Sequence, residues 1–134
     1  MAFNTYRDFY RAYIDFGTEV SRVFDRADFD TKVGLHATGQ QYNELLHYFS
    51  NQRPRGVFFR GPPVEHDPDP EITVDGDKAT IRDCMFDAGE TYDADDNTVI
   101  DSADDKRELK VVRLERVAGV WKVADVELEG ECAI

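Results

Sequence analysis

The sequence predicts an α+β domain: N-terminal helices packed on a strongly curved antiparallel sheet. Three observations carry this. The chain opens on a long segment with helical spacing of its apolar residues. From Gly56 onward that spacing gives way to alternation, the period of a strand. Two glycine turns, Asp75-Gly76 and Ala118-Gly119, then join pairs of alternating runs as antiparallel hairpins. Helices first and strands afterwards is the order of layers in an α+β fold. At 134 residues, without repeats or low-complexity linkers, the chain forms one domain over positions 1–134.

The first helix is placed by Phe3, Tyr6, Tyr10, Tyr13, Gly17, Val20 and Phe24, which follow a 3-4-3-4 spacing. Phe9, Phe16 and Val23 widen that face, and Thr5 with Asp8 reads as a capping box with the shorter acid. Seven of the chain's aromatic residues lie on this segment, so it must cover a broad apolar surface, and a sheet is the expected partner. "DRADFDTKVGLHATGQ" is a break with one short helical turn. Thr38 and Gln41 suggest a second capping box ahead of Tyr42, Leu45, Leu46 and Phe49, and this helix is expected to end by Pro54. "GVFFRG" is a short strand, and "VEHDPDP" an extended connection stiffened by proline. "EITV" with "KATIRDCMF", and "ELKVVRLERV" with "VWKVADVELEG", form the two hairpins.

Charge narrows the function. Sixteen basic against twenty-eight acidic residues give a net charge of -12, which disfavours nucleic acid and anionic membrane surfaces as partners. It suits a cationic partner or a cation site. No apolar run approaches the roughly 20 residues of a membrane span. The N-terminal segment carries charges throughout and has no signal-peptide pattern. The expectation is a cytoplasmic protein as the sequence is written, or an exported one if the chain is the trimmed part of a longer one. Cys84 and Cys132 belong to no CxxC pattern, so zinc is not expected. They pair in an oxidising compartment and stay thiols in a reducing one.

The segments "GPPVEHDPDPEITVDGDKATIRDC" and "VVRLERVAGVWKVADVELEGEC" resemble the nuclear transport factor two-like superfamily, which includes SnoaL-like cyclases and ketosteroid isomerases. "VDGDKATIRDC" and "GVWKVADVELEGEC" look like segments of its small actinobacterial members, whose function is mostly unassigned. The resemblance implies the α+β cone, a pocket between helices and sheet, and in many relatives export or lipid anchoring with a disulfide, here Cys84–Cys132. This sequence lacks an export signal, so the pairing stays open at this point.

Cofactor-free members of that superfamily use a buried carboxylate, sometimes with a Tyr or His, to move protons at carbon. Alternation in "KATIRDCMF" puts Asp83 on the apolar face with Ala79, Ile81 and Met85, which makes it the candidate catalytic base. Tyr10, Tyr13, His36 and Trp121 are candidate pocket residues. The plainer reading holds Asp83 by a structural hydrogen bond or by an arginine such as Arg113, because buried polar groups are usually satisfied. Asp83 has no residue-by-residue match to the isomerase acids. The three histidines have no metal spacing, and "EHDPDP" reads as a surface loop with diverging side chains.

The acidic stretch "YDADDNTVIDSADD" partly matches a calcium loop, with Asp93, Asp95, Asn97, Asp101 and Asp104 at ligand positions. Thr98 stands where glycine is needed and the flanks read as strands, so a solvated hairpin tip competes with calcium. The expected function is a non-catalytic binding or assembly module, holding a small apolar ligand or a protein in the pocket or on the sheet face, as a homodimer. The alternative is a cofactor-free isomerase, cyclase or dehydratase with a pocket carboxylate as base.

Overall fold

The helical period of the first segment holds from Ala2 to Thr18 and then stops. The computed structural model describes residues 2–102 and 106–134. Helix α1 (Ala2–Thr18) is followed by α2 (Arg26–Lys32), a 3-10 turn (Gly34–His36) and α3 (Gly39–Arg55). The strands are β1 (Val57–Arg60), β2 (Glu71–Asp75), β3 (Lys78–Met85), β4 (Glu90–Asp93), β5 (Thr98–Ser102), β6 (Glu108–Val117) and β7 (Val120–Glu131). The class is α+β: helices over two antiparallel sheets, one ordered β2-β3-β6-β7 and the other β1-β4-β5.

Helix α1 has no acid in its first turn and no base in its last. Charge–dipole stabilisation, worth about 0.3–1 kcal/mol per group, is therefore missing at both ends. Its aromatic side chains supply more, at about 1.5–3 kcal/mol for each one fully buried. Tyr6, Phe9 and Phe16 are sealed in a core with Phe29, Phe49, Ile81, Val112, Leu114 and Val123. The helix begins before Thr5 and Asp8, so these lie within it and do not cap it. It also ends earlier than its spacing suggests: Val20 and Val23 stand 68% and 71% exposed. Near this end the Phe59 ring packs onto Gly17, where a Cβ would sit 1.9 Å from it. Arg53 of α3 then holds the departing chain. Its guanidinium donates to the carbonyls of Phe16 (2.9 Å) and Val23 (3.2 Å) and lies 3.6 Å over the Phe16 ring.

The break contains α2, capped by the Asp25 carboxylate accepting from the Ala27 N–H, and the 3-10 turn. Thr38 takes the N-cap position of α3, but its side chain makes no capping bond. Its N–H instead donates to the Val123 carbonyl, which docks the helix start on β7. Pro54 does not end α3, which runs one residue further and closes on Gly56 at a φ of 76°. Only glycine takes that left-handed cap without strain.

Both predicted hairpins form. β2 pairs with β3 across Gly76 and Asp77, and β6 pairs with β7 across Ala118 and Gly119. The meander is not continuous, however. The acidic stretch is itself a hairpin, β4–β5, and it pairs with β1 rather than joining the larger sheet. The alternation there is masked by acidic side chains on an exposed strand, so the sequence reads as loop.

Cys84 and Cys132 are joined in a disulfide. Cys84 lies opposite Leu109 on β6, and Cys132 follows β7 on the other side of β6. A bulge near Leu109/Lys110 lets the end of β7 bend toward Cys84. Arg107 braces the junction: its guanidinium donates to the Cys84 carbonyl (2.7 Å), and its own carbonyl accepts the Cys132 N–H. The bridge spans 48 residues of chain, so opening it should lower the unfolding free energy by about 2–4 kcal/mol. Urea unfolding with and without reductant checks this, and coincident curves would contradict it.

Candidate functional site

Asp83 sits in β3, fully buried, on the face that the alternation assigns to it. Its partners differ from those expected. Arg113 faces outward and pairs with Asp125 and Glu127. Asp83 instead accepts three hydrogen bonds: from the Tyr6 hydroxyl of α1 (2.8 Å), from His66 Nδ1 (2.7 Å) and from the Asp67 N–H (2.7 Å). A carboxylate only accepts, so Nδ1 of His66 carries the proton in that contact.

The segment "VEHDPDP" is therefore not a surface loop with diverging side chains. Glu65 pairs through its backbone with Phe86, which docks the proline-stiffened strap along the end of β3. His66 turns inward, 18% exposed, with its ring edge-on to Tyr6 (5.2 Å) and Tyr10 (5.7 Å). His66 and Tyr6 are the site residues that sequence reasoning missed as partners of Asp83. Nothing in the spacing links positions 6, 66 and 83; only the docking of the strap does.

Burial alone would push the Asp83 carboxyl up. The hydrogen bonds from His66, the Asp67 N–H and Tyr6 outweigh it and hold the carboxyl below its ordinary range. Burial also pushes the Tyr6, Tyr10 and Tyr13 hydroxyls up, with neighbouring hydroxyls and carboxylates adding to it, so these phenols stay neutral. A general base needs a raised pKa and a path to substrate. Asp83 is held low and lines neither of the two cavities described below. What the geometry gives it is a joining position between α1, β3 and the strap.

The larger cavity is an open cleft of about 550 Å³ between α1, the β1-β4-β5 sheet and the start of β6. Tyr13, Ile14, Phe59, Val64 and Met85 supply apolar wall, and the rest is largely charged, with Arg60, Lys106 and Lys110 facing Asp87, Glu90, Asp101 and Glu108 around the cleft. The smaller, of about 270 Å³, lies between α1, α3 and β7. Of the four expected pocket residues, Tyr10 lines the smaller cavity and Tyr13 lines both. His36 and Trp121 line neither. His36 lies in the 3-10 turn, where burial lowers its pKa, and Trp121 packs at the core edge beneath the Arg116 guanidinium (4.7 Å).

The calcium candidates are not brought to one point. Asp93 accepts the Asp95 N–H (2.9 Å), Asp95 pairs with Arg22, and Asn97 accepts from Arg60. Asp101 lies opposite Thr91 in β5 and lines the larger cleft. Arginines thus occupy two of the four side chains. The turn is closed by Asn97 at a φ of 61°, so the left-handed residue falls one position before the glycine of a calcium loop. Asp104 lies outside the described residues. Among the described residues, no group of three or more His, Cys, Asp or Glu side chains is placed to hold a metal.

No protein-family description matches the chain, and neither does any curated protein. Among solved structures it is similar to the intermembrane space region of the chloroplast protein ARC6, with a TM-score of 0.67 and 10% identity. The likeness covers 96% of this chain and 93% of that one. At that identity the likeness is one of fold, and no residue role transfers with it.

Asp83→Asn removes a charged acceptor from two side-chain donors and a backbone donor, at a cost of about 2–3 kcal/mol near neutral pH. The sign with pH follows from the lowered carboxyl. Its stabilisation is complete above the unfolded value of about 4 and is lost as pH falls through the lower folded value. The difference in stability between Asp83→Asn and the parent chain should therefore shrink below about pH 4. Denaturant titrations of both proteins between pH 7 and pH 2.5 (roughly the span of carboxylate titration) measure it. An equal gap at every pH would contradict it.

Proposed function

We propose that the chain is a non-catalytic binding module that holds a small apolar ligand in the 550 Å³ cleft. One contrast carries this reading. The buried carboxylate that chemistry would need has all its partners within the fold, whereas the cleft is open and has Tyr13, Ile14, Phe59 and Val64 in its wall. A few hundred Å³ is the usual size of a small-ligand site, and these side chains would hold the ligand's apolar body beside the charged groups that line the rest of the cleft.

The helix-then-sheet order and the motif segments support a place in the nuclear transport factor two-like superfamily, with its curved cone. The Cys84–Cys132 bridge supports an oxidising compartment, and so an exported chain. The same reading keeps the open sheet face, the side of Thr80, Arg82 and Arg113, as a homodimer surface. Light scattering of the purified protein should then give twice the 15.3 kDa chain mass. A mass of one chain at every concentration would remove that part.

The cleft is tested with a neutral apolar dye. Nile red should brighten on titration with the protein, and Ile14→Trp, which fills the cleft from α1, should abolish the effect without lowering the melting temperature. Equal brightening with Ile14→Trp, or none with the parent chain, would contradict the proposal.

A further inference from the structure

The 270 Å³ pocket is a separate place from the cleft and shares only Tyr13 with it. Its wall includes the rings of Phe9, Tyr10, Tyr13 and Tyr48, with Gln41 inside and Glu44 on the exposed side. Gln41 is 8% exposed, yet its side-chain amide makes no hydrogen bond among the described residues. Its amide atoms are not sealed off either; among the described residues that condition is met by Arg53 Nε alone. The amide therefore faces the cavity it lines. The amide of this nearly buried residue is thus left to water or to a ligand that enters the cavity. The Tyr10 and Tyr13 hydroxyls also make no hydrogen bond among the described residues.

The electrostatics favour one sign. No Lys, Arg or His lines the pocket. Glu44 is the charged residue that lines it, and carboxylates also act on the tyrosine hydroxyls from the side of the larger cleft: Asp87 and Glu108 on Tyr10, Asp87 on Tyr13 and Asp101 on Tyr48. Neutral phenol oxygens and the Gln41 carbonyl are acceptors, and aromatic faces carry partial negative charge. An anion entering here would meet repulsion and no cation. A neutral ligand would gain nothing from the field.

We propose that this pocket binds a small organic cation: a protonated amine on an apolar body about the size of one ring. The ammonium sits against the Gln41 carbonyl and the Tyr10 and Tyr13 oxygens, and the body lies among the aromatic walls. Cation–π attraction to the ring faces adds to the hydrogen bonds.

Three probes of one shape separate the alternatives: 2-phenylethylammonium, 2-phenylethanol and phenylacetate, each titrated calorimetrically into the intact protein. The ammonium should bind in the millimolar range or tighter, with the alcohol weaker by roughly tenfold and phenylacetate silent. Gln41→Leu should weaken the ammonium by roughly tenfold while leaving Nile red in the cleft unaffected. If Gln41→Leu does not fold, Tyr10→Phe keeps the ring packing and carries the same test with the same sign. The proposal is overturned by equal binding of alcohol and ammonium, by no heat at about 10 mM ammonium, or by unchanged affinity in the folded variant. Any of these leaves the cleft reading standing, because that reading is measured by the dye.

Discussion

A single buried carboxylate ties together three parts of the chain that are far apart in sequence. Asp83 on β3 accepts from Tyr6 on α1 and from His66 and Asp67 on the strap. Burying a charge is expensive unless donors compensate it, and here two side chains and one backbone N–H supply three hydrogen bonds. Once these bonds form, the rotation of α1 about its axis is set. Tyr6 points at Asp83, so Tyr10 and Tyr13, one and two turns on, must face the space between helices and sheet. The strap is set too, because His66 cannot reach Asp83 unless Glu65 is paired with Phe86. The positions of both cavities follow from that arrangement.

Two further restraints hold the ends of the frame. Arg53 collects the chain as it leaves α1, through backbone carbonyls and the face of Phe16. The disulfide, with Arg107, fastens the last residues of β7 to β3 across β6. These act on different states. Arg53 and Asp83 stabilise native geometry, whereas the covalent bridge mainly restricts the unfolded chain. Between the restrained ends lies the cleft, bordered by the exposed hairpin β4–β5, whose side chains make few apolar contacts. The stable part of the molecule therefore surrounds the open part.

Polar groups in this protein divide by whether they are satisfied. Asp83 looks catalytic by position, but it accepts three hydrogen bonds from within the fold and its carboxyl is held low. Gln41 looks structural by position, as a residue in the first turn of α3, but its amide has no partner among the described residues and the residue lines a cavity. The acids of the β4–β5 hairpin likewise look like ligands until Arg22 and Arg60 are seen beside them. Completed hydrogen-bond sets mark the frame, and incomplete ones mark where a ligand adds something.

The amino-acid sequence by itself determined the class of fold, the helical face of α1, both glycine hairpins and the inward orientation of Asp83. These depend on periodicity and turn chemistry, which are local and survive without tertiary context. It also brought Tyr10 and Tyr13 to notice, because their spacing puts them on the core face. Only the tertiary structure decided what Asp83 bonds to, since positions 6, 66 and 83 meet through the docking of a strap that has no periodicity of its own. The same holds for the close packing of Phe59 on Gly17 near the end of α1, and for the pairing of β1 with β4. Burial and partnership are set by contacts between distant segments, and these decided which of the polar residues evident in the sequence were left free to act.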